Sequence, residues 1–137
     1  MLAALLAAPF AARAQDVGPE FAGLLGRPVA ALAAHPAVGP RLRRMAAGRQ
    51  RVVSDALRGP EGAPLAASGP WLHGWAATEE ARCLLAFDTH TENVAIMLLE
   101  GGRPSLFIPP RFAPWPEALR DALRAFAPEL YPTMRFG

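Results

Sequence analysis

The sequence contains no lysine: the whole Lys+Arg count of 14 is arginine, set against 12 acidic residues. The formal net charge is only +2, so overall basicity does not point to nucleic acid or another polyanion as a partner. With so much alanine, glycine and proline, the missing lysine reads as compositional bias rather than recognition chemistry. Cysteine is almost missing too. Cys83 stands alone, so no internal disulfide can hold the fold and the core must do so. Beyond residue 12 there is no apolar run approaching the roughly 20 residues that a transmembrane helix needs. Enzyme signatures are lacking as well. Ser54, Ser68 and Ser105 lie outside any GxSxG or SxxK context, and EGGR (100–103) has no Lys-Ser/Thr after it. No internal repeat or linker divides the 137 residues.

The chain does have a short apolar opening, Leu2 to Ala12, followed by the small-x-small triplet Ala12-Arg13-Ala14 and then polar Gln15 and Asp16. This predicts a signal peptide over 1–14 and a single exported domain over 15–137, periplasmic or secreted. Losing Arg13 would lower the net charge to about +1.

Within that domain, residues 19–59 read as helical. Pro19 suits a first helical turn, and Leu42, Met45, Val52, Val53, Ala56 and Leu57 recur at helical spacing, in one helix or in a pair broken near Gly48. Residues 64–108 read as a sheet. Strands are expected near 65–67, 71–77, 82–88, 94–99 and 105–108, and their short connections require antiparallel neighbours. CLLAF (83–87) and VAIMLL (94–99) are apolar on both alternating faces, so they should be central and covered on both sides. A closing helix is expected over 116–127, followed by an irregular tail. The fold class is therefore α+β: an antiparallel meander of about five strands, packed against N-terminal helices and a C-terminal helix.

The candidate functional residues lie mostly between the strands. Glu79 and Glu80 are sequence neighbours, so on a strand they would point to opposite faces and form no acid/base pair; a charged loop is the simpler reading. Asp88, His90 and Glu92 would share a face if the chain stayed extended, an O/N/O set for a divalent metal with His73 as a fourth ligand; as a hairpin tip they would instead be a solvated acidic loop. Trp71, His73 and Trp75 alternate along one strand, either as core or as an exposed binding stripe. Cys83 shares a face with Leu85 and Phe87, as a small buried hydrophobe or as the donor of an intermolecular disulfide. Residues 41–58 carry six arginines against Asp55, whereas 79–100 carry five acids against Arg82. Either these are solvated faces of a helix and of hairpin tips, or the basic segment faces an anionic envelope surface or another subunit, through Arg41, Arg43 and Arg44, while the acidic one faces a basic partner.

The helical front, GWAATEEARCLLAFD (74–88), the following VAIMLLEGG (94–102) and the WP-led closing helix together resemble the Ivy family, periplasmic inhibitors of vertebrate-type lysozyme. The resemblance covers roughly 70–126. It implies an α+β fold, a lysozyme partner and often a homodimer. In that family inhibition is carried by a protruding CKPHDC-type loop, closed by a disulfide, whose histidine enters the lysozyme cleft. Here the matching place reads AATEEA (76–81), without the cysteine pair or the histidine.

The reading that follows is an exported binding or inhibitor-like protein with no catalysis and no cofactor. It would meet a muramidase or other envelope protein through Glu79, Glu80, Asp88, His90, Glu92 and the Trp71–His73–Trp75 stripe. Metal binding by Asp88, His90 and Glu92, or an envelope accessory role for the arginine-rich helix, are the alternatives.

Overall fold

The structure is a computed structural model and describes residues 16–46 and 48–137. The expected signal peptide over 1–14 lies outside the described residues.

Among the described residues the front of the chain carries four complete short helices: α1 (Pro19–Ala22), α2 (Val29–Ala33), α3 (Gly39–Met45) and α4 (Gln50–Leu57). Prolines in the first turns of α1 and α3 occupy positions where a missing N–H costs nothing. Gly48, at φ 87°, lies in the break between α3 and α4, so the arginine-rich segment is a pair of helices.

Five strands follow in sequence order: β1 (Glu61–Ser68), β2 (Trp71–Ala77), β3 (Ala81–Asp88), β4 (Val94–Glu100) and β5 (Arg103–Ile108). Every pairing is antiparallel, giving the expected meander with β3 at its centre. β1 begins at Glu61, ahead of the expected start, although it contains Gly62 and Pro64. Pro64 falls in the bulge between Ala63 and Ala66, where the ladder does not need its N–H. Gly62, at φ 151°, passes so close to the Trp75 carbonyl that a Cβ would collide with it.

The sheet divides the core into two layers. Cys83, Leu85 and Phe87 of β3, with Ile96 and Leu98 of β4, pack under the N-terminal helices against Val29, Leu32, Val53 and Leu57. Gly74 allows this contact, because a Cβ there would stand 3.2 Å from Val29 Cβ. On the other face Leu84, Ala86, Met97 and Leu99 meet Trp115, Leu119, Leu123 and Phe126. Burial of each large apolar side chain contributes roughly 1.5–3 kcal/mol relative to exposure. The two apolar faces of β3 and β4 are thus each covered by a different end of the chain.

The closing segment is more ordered than the sequence suggests. Its helix begins as a 3₁₀ turn, Glu117–Leu119, and continues as α5 (Arg120–Phe126). The tail, expected to be irregular, forms a second 3₁₀ turn (Tyr131–Thr133), then β7 (Arg135–Phe136) pairs in parallel with β6 (Pro114–Trp115). Arg120 binds Glu117 through two hydrogen bonds of 2.7 and 2.8 Å, lies over the Phe136 ring at 4.6 Å, and donates to Tyr131 Oη. These contacts tie the tail back to the helix. They also hold the Glu117 carboxyl below its usual range, and with Arg124 they lower the Tyr131 phenol.

Candidate functional site

Turns at opposite ends of β3 carry the acidic candidates, and local hydrogen bonding builds them differently. The β2–β3 connection follows the last ladder pair, Ala77 with Arg82, and is closed by Thr78 N–H donating to Ala81 O at 2.9 Å. The Thr78 hydroxyl accepts from the N–H groups of Glu80 and Ala81 at 3.3 and 3.2 Å, and Glu80 O accepts from Gly101 N–H in the β4–β5 turn. These bonds fix the backbone and leave the side chains outside: Glu79 and Glu80 are exposed and make no ion pair among the described residues. Glu61, opposite Ala77 in register, adds a third exposed acid at this end of the sheet. Together they border a depression of about 260 Å³ floored in part by Gly101 and Gly102.

The β3–β4 turn is turned inward. Asp88 is 8% exposed, and its Oδ1 accepts from His90 N–H at 2.8 Å and Thr91 N–H at 3.1 Å, an Asx turn. His90 Nε2 donates to the Asp16 carbonyl at 2.9 Å. Glu92 has φ 63°, which breaks strand alternation, and Arg41 binds both its side chain (3.2 Å) and its carbonyl (2.9 Å). The O/N/O set therefore does not share a face: each member is engaged by a different part of the fold. His73, the expected fourth ligand, hydrogen-bonds Ser68 Oγ at 2.9 Å. Among the described residues no cluster of His, Cys, Asp and Glu suits a metal.

The Trp71–His73–Trp75 stripe faces the C-terminal layer. Trp71 is buried there, and Trp75, half-buried, meets the Phe126 ring edge-on at 5.6 Å. Core packing, one of the two readings of this stripe, thus describes Trp71, while His73 and Trp75 are half-buried. Cys83 is fully buried, and desolvation pushes its thiol up from 9.0 to about 12. The charge separation along the chain is also partly cancelled in space. Arg41 pairs with Glu92 and Arg49 with Glu100, each pair joining the basic segment to the acidic one. Arg43 and Arg44 remain exposed.

Sequence reasoning missed Thr78 and Glu61. A threonine two residues before Glu80 is the signal of a hydroxyl-closed turn, whereas Glu61 joins the site only through the β1–β2 register.

An antiparallel sheet with helices on both faces, and a hydrogen-bonded turn whose acidic side chains are exposed, defines a small α+β module. The family model described as inhibitor of vertebrate lysozyme (Ivy) matches residues 37–129, and the chain belongs to that family. That family is one of inhibitors, not enzymes. No curated protein and no solved structure matches the chain significantly. No described helix is long and apolar enough to cross a membrane.

Proposed function

We propose that this protein is an exported inhibitor of vertebrate-type lysozyme that presents the β2–β3 turn, with Glu79 and Glu80, to the enzyme. The observation that carries this reading is the turn's geometry within a family of lysozyme inhibitors. It lies at the sheet end inside the matched region, its backbone is hydrogen-bonded, and its carboxylates have no ion-pair partner among the described residues. The cysteine pair and histidine of the family loop are replaced by AATEEA, so the mode of action is steric occlusion aided by charge. A rigid acidic turn set against a basic enzyme surface raises the association rate and fixes orientation.

A turbidity assay of vertebrate c-type lysozyme on bacterial cell walls tests this. Saturable inhibition is expected at micromolar protein, weakening as salt rises from about 20 to about 300 mM, where the Debye length shortens several-fold. Absence of inhibition and of binding at low salt would refute it. The 1–14 leader, periplasmic or secreted location and homodimerisation belong to the same proposal; cell fractionation and light scattering check them.

A further inference from the structure

The N-terminal helices do not close completely over one another. Between α2, α3 and α4 they leave a groove of about 550 Å³, within the roughly 300–1,000 Å³ of small-molecule pockets. Its floor is apolar, formed by Leu42, Ala46, Val53 and Leu57, each no more than 7% exposed. Its α2 wall is made of small side chains, Ala30, Ala33 and Ala34. Gly39 lies where a Cβ would approach Ala33 O at 3.1 Å, so α3 starts close against α2 and the groove ends there. Arg43, Gln50, Arg51, Ser54 and the Asp55–Arg58 ion pair form an exposed polar rim.

Charge at the rim discriminates among ligands. Arg41, Arg49 and Arg58 of the same segment are neutralised by Glu92, Glu100 and Asp55. Arg43 and Arg51 have no carboxylate partner among the described residues, and both line the groove. Two uncompensated guanidinium groups above an apolar floor complement an anion with an apolar tail.

We propose that this groove binds a free, single-chain amphiphilic anion, a carboxylate-headed alkyl chain, with its tail along Leu42, Val53 and Leu57 and its head at Arg43 and Arg51. A recessed trough suits one monomeric chain rather than a bilayer. Insertion into a bilayer needs projecting apolar side chains, and the one large hydrophobic residue exposed among those described, Phe112, does not line the groove. The family match starts at residue 37, so the α2 wall lies outside it, while the floor and the two arginines lie within it.

Calorimetric titration of the purified protein with dodecanoate below its micellar concentration tests the proposal. Saturable one-to-one binding is expected. Acetate should give no heat, and dodecyltrimethylammonium should bind at least about tenfold more weakly. Arg43→Ser/Arg51→Ser should weaken dodecanoate binding at least about tenfold with circular dichroism and melting unchanged. Ala30→Leu/Ala34→Leu should abolish binding by filling the wall, with the exposed Ala34→Leu alone as the milder variant should the double one fail to fold. Equal affinity for both head groups, indifference to the arginine substitutions, or binding to phosphatidylglycerol vesicles without binding of the monomer would each overturn the proposal.

Discussion

At one end of β3, Asp88 turns its carboxylate back onto two backbone N–H groups and Glu92 is clasped by Arg41; at the other, the side chains of Glu79 and Glu80 have no ion-pair partner among the described residues. The two turns have similar acidic composition and flank the same strand. Their difference is one of solvation. The carboxylate of Asp88 has lost most of its water and must be compensated inside the protein, so it acts on stability. Those of Glu79 and Glu80 keep their water and their field reaches outward, so they can act on a partner. Acidic residues in a loop therefore become candidates for recognition only after those that organise the loop have been set aside.

Substitutions can break this contrast. Asp88→Ala is expected to have the largest effect, lowering stability by about 2–3 kcal/mol in urea unfolding, because two turn N–H groups lose their acceptor. Cys83 reports the same event. A thiol raised to about 12 is essentially uncharged in the native state at pH 8, so Ellman's reagent should label it only after opening. Asp88→Ala should then speed labelling about 30- to 150-fold, whereas Glu79→Gln/Glu80→Gln should leave it unchanged.

That double glutamine variant should instead weaken lysozyme binding about tenfold, or about 1.4 kcal/mol, at low salt. An equal loss of stability in it would erase the contrast. Alkali gives a further check. The unfolded thiol ionises near its usual 9.0 and the native one near 12, so stability holds below pH 9 and declines as pH rises toward 12. Cys83→Ala should flatten that part of the decline in a pH series of melting temperatures. The smallest effect is expected for Arg41→Ala. Removing a half-exposed ion pair should cost about 0.2–1 kcal/mol, less at high salt, and leave lysozyme binding intact.

The sheet was legible because its signal is periodic and local. Cys83, Leu85 and Phe87 alternate with Leu84 and Ala86, and both sets are apolar, which requires cover on both faces. Pro109-Pro110 and the EGGR turn marked where β5 and β4 end. The β6–β7 pair was hidden because it is two residues long on each side and its partners, Trp115 and Phe136, stand before and after the closing helix in the sequence. The site was legible as a place but not as an arrangement. Asp88, His90 and Glu92 looked alike in sequence; the Asx turn at Asp88, the bond from His90 to the Asp16 carbonyl, the φ of 63° at Glu92 and its pairing with Arg41, 51 positions away, separate them from a ligand set. Charge summed along the chain likewise overstated its separation in space, since Arg49 and Glu100 meet.

The hydroxyl of Thr78, bridging the N–H groups of Glu80 and Ala81, has a consequence for association entropy. A flexible acidic loop loses backbone freedom when a partner holds it, at a cost of about 1–2 kcal/mol for each residue that becomes fixed. In this turn much of that freedom was given up during folding, so under the proposed binding mode a partner would meet a surface already shaped. One side-chain oxygen thereby restrains, noncovalently and more weakly, a turn that a cysteine bridge would close covalently. The turn's complex should accordingly show little change in backbone order between its free and bound forms.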